Sequence, residues 1–374
     1  MLAPFSIDAY LPAFPGIEVE FAVDRAMLSQ SLGVYLAAFA ISTLFWGPLS
    51  DRIGRRLVIL GSSILYVLAS AGCALANDID SFLVLRIMQG LAASGGLVAG
   101  RAMIRDAYSA EDAHKAMSHV MLMFAIAPAI APLVGAWLYD VWGWHSIFWF
   151  LTSLGGLLIV LVIFVDETLS HSRRQSAHPL AVIKIYARMM LHGRFLALVF
   201  SVSFAFAGLF LYIAGAPTVI YDFLGLESHD FSVQFLPMVG GMMLGSYISS
   251  RLAHYWPTTR TITLGLVIMV VAVIVNLIQV WLFQAQILTV IGPLVLYSLG
   301  MAIIMPAVTI LALDCFPENR GAAAAMQSFI QMSICAGVAS VAVPLLHTQW
   351  LYFVMGQAAF LLIALLLRFN IRLK

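Results

Sequence analysis

One carboxylate in this chain sits where a carboxylate is expensive. Of the eighteen acidic side chains, only Asp8 falls inside an apolar, membrane-length stretch, MLAPFSIDAYLPAFPGI; every other Asp or Glu falls in a predicted loop or at a predicted helix end. A charge near the centre of a bilayer costs at least ~2.5–3.5 kcal/mol by insertion scales, so such a group either works or is paired. A lone acid in a helical bundle can bind a proton or a cation and alternate between them. That is the chemistry of a coupled transporter. The alternative is a structural ion pair with an intramembrane arginine, and Arg86 is available for it.

Arg86 and Gln89 lie in a second run of this kind, Leu85-Arg86-Ile87-Met88-Gln89-Gly90, inside an apolar helix. A guanidinium there must meet a carboxylate, backbone carbonyls or water. Arg86 is therefore either a partner for Asp8 or a helix-positioning arginine. Ala127, Ala131 and Gly135 fall at i, i+4 and i+8 and give one helix face a small-residue stripe suited to close contact. Pro128 and Pro132 in the same helix each remove a backbone donor and bend it. Gly241, Gly245 and Ser249 form a second small face, expected as its mate across the two halves of the chain.

The densest run of charge and glycine is GPLSDRIGRR, residues 47–56. Gly47 and Gly54 allow close packing and a tight reversal. Asp51 suits the positive end of a helix, an interaction of roughly 0.3–1 kcal/mol. Arg55 is expected to pair with Asp106. Anchoring by Arg52, Arg55 and Arg56 alone would explain neither Asp51 nor the glycines.

The elements that must carry these groups are membrane spans. At 374 residues, 62% hydrophobic and 10% charged, with a mean hydropathy of +0.99, the chain lies far from the soluble average of about 45–50% apolar and 25% charged. Its solvent is mostly lipid. Segments long enough to span a core of ~30 Å predict twelve helices, at 1–17, 28–50, 57–76, 81–106, 113–138, 145–166, 195–216, 231–252, 261–283, 286–313, 321–346 and 350–370. The fold class is thus an all-α integral membrane protein. Residues 1–166 and 195–374 form two six-helix halves, and 167–194 is a connector with an amphipathic helix expected over 182–191. On this assignment sixteen of the nineteen Lys and Arg fall on one side, including Arg105, Lys115, Arg173, Arg174, Arg251, Arg372 and Lys374. Positive charge stays inside, so both termini and the connector are expected in the cytoplasm. The junctions at 106–117 and 314–326 echo each other: each begins with Asp, has an aromatic two residues on and ends in Ala-Met. That is the expected mark of a duplicated six-helix unit.

The spacing G-x-L-x-D-R-x-G-R-R resembles the signature loop of the major facilitator superfamily. The run Arg86-Ile-Met-Gln-Gly resembles the superfamily's R-x-x-Q-G. The 127–136 segment resembles the antiporter helix motif of proton-coupled drug exporters, with Ala127, Ala131 and Ala136 where that motif has glycine. Asp8-Ala-Tyr-Leu-Pro-Ala resembles the opening of the bicyclomycin/chloramphenicol-resistance (Bcr/CflA) efflux family. The resemblance implies two pseudo-symmetric bundles and a drug:proton antiporter of the bacterial inner membrane. It implies that Arg86 influences proton binding at Asp8, and that Asp51 faces the start of the eleventh helix. Asp51, Arg55 and Asp106 would then form a cytoplasmic latch. Against the family, the first helix is short: Asp8 lies about 12 Å of helix from residue 1, as in an N-terminally truncated span or a start placed too late.

Tyr10, Tyr35, Phe39, Gln89, Met123, Tyr212, Gln327 and Gln331 are the candidates to face a substrate, since aromatics and Met make an adaptable apolar pocket with a few polar handles. Expected partners are a small-molecule substrate, protons and membrane lipid, with no nucleic acid; the superfamily resemblance implies a monomer. No cofactor, nucleotide or metal signature appears, and Cys73, Cys315 and Cys335 read as core residues rather than ligands. No HExxH or GxSxG pattern supports an enzyme. The alternative function is a transporter of the same build for a physiological metabolite such as a nucleoside.

Overall fold

Two departures from twelve plain helices fall beside prolines, whereas the helices Arg25–Ile53, Ala110–Trp142, Phe231–Leu252 and Ile287–Leu313 run on through theirs. The computed structural model describes residues 2–169, 179–253 and 255–369, and among them every regular element is helical. The first span is α1 (Leu2–Asp8), a 3-10 turn at Leu11–Ala13, and α2 (Phe14–Phe21), not the single helix expected over 1–17. Pro12 is the cause. It has no N–H to donate to the carbonyl of Asp8, and its ring would strike that carbonyl in a continuous helix. The break therefore falls directly after the acid. Pro15 sits in the first turn of α2, where a missing donor costs little.

Five longer helices complete the first part of the chain: α3 (Arg25–Ile53), α4 (Arg55–Ala74), α5 (Ile79–Ala107), α6 (Ala110–Trp142) and α7 (His145–Ile163). Asp24 and Asp78 cap α3 and α5 by accepting from the N–H groups of Met27 and Ser81 at 2.7 and 2.8 Å. The connector helix α8 runs over Pro179–Met190, three residues earlier at its start than expected. Arg173, Arg174, Arg372 and Lys374 lie outside the described residues, as does the side chain of Lys115. Then come α9 (Gly193–Ala214), α10 (Phe231–Leu252), α11 (Thr258–Leu282), α12 (Ile287–Leu313), α13 (Arg320–Gly337), α14 (Val343–Leu346) and α15 (Trp350–Phe369). The helix expected over 321–346 is interrupted by a π-helical turn at Val338–Ala342, where Pro344 again cannot continue an α ladder.

Ten helices of the described residues are long and apolar enough to cross a membrane, and the apolar part of α6 adds Ile126–Trp142. With the broken first span, this is a multi-pass membrane fold. The chain divides into two compact units, Met1–Ala187 and Arg188–Lys374.

Close helix contact in each unit is bought with missing side chains. In the first, a Cβ on Gly90 would lie 2.2 Å from the Tyr35 carbonyl, so α5 touches the α3 backbone there. In the second, Gly241 and Gly245 would strike the carbonyls of Val295 and Leu299 at 2.6 and 2.3 Å, and Ser249 Oγ donates to the Ile303 carbonyl at 3.1 Å. The 241/245/249 stripe is thus used inside the second unit, against α12.

Candidate functional site

Asp8 ends α1 and is 4% exposed, with Oδ1 buried and without a hydrogen-bond partner. Its neighbour Ala9 is sealed by α6: a Cβ on Gly135 would come within 1.7 Å of the Ala9 carbonyl oxygen. One turn on, the Tyr139 ring covers Gly16, where an added Cβ would lie 2.8 Å away. The small stripe Ala127, Ala131, Gly135 is fully buried or nearly so. Its face of α6 therefore runs along the broken first span, with Gly135 beside the residue that follows the acid. Small residues are needed here because backbone meets backbone.

Arg86 is 0% exposed, yet no ion pair joins it to Asp8 among the described residues. Its Nη1 donates to Gln89 Oε1 at 2.5 Å, and Gln89 Nε2 donates to Ser70 Oγ at 2.8 Å. The guanidinium carbon lies 4.4 Å from the ring centres of both Tyr10 and Tyr35. Arg86 and Gly90 are one turn apart, so the close approach allowed by Gly90 is what brings the Tyr35 ring over the cation. Stripping a guanidinium of water costs several kcal/mol. Two desolvated ring contacts of about 2 kcal/mol each and one charge-assisted hydrogen bond of about 1.5–3 kcal/mol offset that cost without a carboxylate. Nε and Nη2 remain without hydrogen-bond partners.

Tyr10, Tyr35 and Gln89 thus gather around Arg86, with the Tyr10 hydroxyl on Ser31 Oγ at 3.1 Å and Phe39 stacked 6.3 Å from Tyr35. Met123 stands apart, 54% exposed on α6. In the second unit Tyr212 is fully buried: Asn276 Nδ2 donates to its hydroxyl at 3.0 Å and to Gln357 Oε1 at 3.1 Å. Gln327 and Gln331 lie on α13, each 6% exposed, and Gln327 Nε2 donates to Thr309 Oγ1 at 2.9 Å. Ser70, Asn276 and Gln357 escaped the sequence reading, although a polar residue inside an apolar span is the signal that singled out Gln89.

The segment 47–56 is not a loop but the last turns of α3, Gly54 and the start of α4, and it is built around Arg55, whose side chain is 5% exposed. Its Nε pairs with Asp106 Oδ2 at 3.0 Å and its Nη1 with Asp51 Oδ1 at 2.6 Å and Ser50 Oγ at 2.5 Å. Gly54 has φ +112° and ψ 154°, a backbone state that is essentially glycine's alone. Gly47 carries no such demand: an added Cβ would meet only Val98, at an ordinary 3.8 Å. Arg52 is exposed. Glu167, absent from the sequence reading, accepts from the backbone N–H groups of Arg55 and Arg56 at 3.0 and 3.1 Å. No group of three or more His, Cys, Asp or Glu suited to a metal occurs among the described residues.

Comparison with known proteins agrees with these motifs. A family model described as the Major Facilitator Superfamily matches residues 1–340. The chain is 29% identical over 252 residues to a bicyclomycin resistance protein homolog of Haemophilus influenzae, a match covering 67% of this chain and 63% of that one. It is 29% identical over 359 residues to a chloramphenicol resistance protein of Pseudomonas aeruginosa, covering 94% and 83%. Among solved structures, a D-xylose–proton symporter superposes with a TM-score of 0.75 at 16% identity, covering 97% of this chain and 94% of that one. That likeness concerns the fold.

Proposed function

This chain belongs to the Major Facilitator Superfamily and is a transporter rather than an enzyme; from that premise we propose that it exports drug-like small molecules across the bacterial inner membrane by proton antiport with alternating access. The observation that carries the reading is Asp8, a buried carboxylate with an unpaired oxygen at the break in the first span. The names of the two relatives, bicyclomycin and chloramphenicol resistance, support a drug-like cargo.

In this reading Asp8 is the proton carrier. The unpartnered Nε and Nη2 of Arg86 make it the cation that receives the bare carboxylate at another stage of the cycle. The helix break after Asp8 supports such movement, since discontinuous helices commonly carry coupling sites near mid-membrane. Tyr10, Tyr35, Gln89 and Tyr212 are 0% exposed and committed to internal partners. We assign the substrate-facing role first to Met123, which is exposed, and then to Phe39, Gln327 and Gln331, which are nearly buried. The Asp51–Arg55–Asp106 cluster is the proposed cytoplasmic latch, and the positive-inside bias supports cytoplasmic termini.

Inside-out vesicles with an acidic interior test this. Antibiotics, cationic dyes and nucleosides are added in turn while a ΔpH-sensitive fluorophore is followed. Proton release triggered by a drug-like compound is the expected result. Release by nucleosides alone, or no release with any compound, would overturn the drug-export reading.

A further inference from the structure

We propose that Glu167 is the positioning residue of the cytoplasmic latch, holding Arg55 by its backbone so that the Arg55 side chain can reach Asp51 and Asp106; the functional weight of this rests on the transporter reading above. The need for such a residue begins at Gly54. That position caps the start of α4, but its positive φ demands glycine, and a glycine has no side chain with which to cap. The first N–H groups of α4, on Arg55 and Arg56, are left without an intrahelical acceptor. Glu167 supplies both from more than a hundred residues away, Oε1 to Arg55 at 3.0 Å and Oε2 to Arg56 at 3.1 Å. Its Oε1 also accepts from the Leu169 N–H at 3.0 Å, fixing the carboxylate in the chain that leaves α7.

Arg56 returns the exchange. Its Nη2 donates to the Ile163 carbonyl at 2.7 Å and its Nε to the Val162 carbonyl at 3.3 Å, placing a cation on the last carbonyls of α7. An anion from beyond the end of α7 thus sits on the start of α4, and a cation from the start of α4 sits on the end of α7. Both placements agree with the helix dipoles. Arg55 stands at the centre: its main chain is held by Glu167, and its side chain by Asp51, Asp106 and Ser50. Any shift of the segment after α7 must therefore be felt at Arg55. A cap that only stabilised α4 would not transmit it.

The two roles separate by experiment on the full chain in lipid nanodiscs. Hydrogen exchange reports the amides of residues 55–57, and phenylglyoxal followed by mass spectrometry reports the Arg55 guanidinium, with exposed Arg52 as internal reference. In Glu167→Gln the amides of 55–57 are expected to exchange about tenfold faster, the fold-change of losing one helix cap. Arg55, protected in the natural protein, should then be modified at a rate approaching that of Arg52. Faster amide exchange with Arg55 still protected would make Glu167 a cap and nothing more, and overturn the proposal. Unchanged exchange would overturn it equally. Should Glu167→Gln fail to fold, Arg56→Met breaks the reciprocal half and is expected to expose Arg55 in the same way; continued protection there counts against the proposal. Neither readout needs transport. A natural protein inactive towards chloramphenicol and protons would therefore sink the functional reading while leaving the placement of Arg55 by Glu167 decided on its own evidence.

Discussion

Gly135→Ala adds one methyl group where the structure has no room for it. The new Cβ would lie 1.7 Å from the Ala9 carbonyl oxygen, 2.6 Å from its carbon and 2.9 Å from its Cα. All three are backbone atoms, so no rotamer change relieves the clash. Restoring an ordinary 3.4 Å contact requires α6 and the turn after Asp8 to part by about 1.7 Å. Overpacking costs typically ~1–3 kcal/mol, and replacing glycine by alanine in a helix returns about 0.8–1.0 kcal/mol. The net loss of stability is then about 0–2 kcal/mol, towards the upper end because the clash is with backbone. The functional loss is expected to be larger, because a misplacement of ~1 Å at a reacting group can cost about 10²-fold, and Asp8 is covalently joined to the displaced residue. Gly156→Ala on α7 is the control, since its Cβ meets nothing within 4 Å. Thermal unfolding in detergent and proton-coupled transport in proteoliposomes are measured on both. A Gly135→Ala protein with unchanged unfolding temperature and transport would refute this account of α6.

Two further substitutions probe the other glycine and the buried cation. Gly54→Ala forces a side chain into a backbone state that costs of order 1–3 kcal/mol for other residues; a lowered thermal midpoint is expected, with Gly47→Ala inside α3 equal to or above the natural protein, and a Gly54→Ala midpoint that is not lowered would contradict the assignment. Arg86→Lys keeps the charge but loses the planar fork on Gln89 and its broad contact with two tyrosine rings, so a loss of about 2 kcal/mol or more in thermal unfolding is expected. Full stability in Arg86→Lys would mean that the ring contacts do not hold the cation.

Membrane spans were legible in the sequence because lipid imposes a length and a composition that few residues can violate. The helix over 231–252 was placed to the residue, and Asp8, Arg86, Gln89 and Asp106 stood out because a polar group in or beside an apolar run is conspicuous. Pro12 and Pro344 were visible too, but the consequence of each depends on which carbonyl lies four residues back, and only at Pro12 is that carbonyl the acid's own. The partners of Arg86 were not legible. Aromatic rings around a cation leave no charge pattern, and the approach of Tyr35 depends on Gly90, whose role is a matter of backbone distance. Glu167 was hidden for a related reason: a carboxylate that serves backbone N–H groups has no side-chain partner for a pattern to find. The 241/245/249 stripe announced close packing but carried no mark of which helix would receive it.

The most direct test of the central claim is Asp8→Asn in energised inside-out vesicles, followed by two readouts on one preparation. Asparagine matches the carboxyl in size but cannot carry the proton. Substrate-triggered proton release should disappear, while exchange of labelled substrate down its own gradient continues. Proton release undiminished in Asp8→Asn would contradict the assignment of Asp8 as carrier, and with it the mechanism proposed for this transporter.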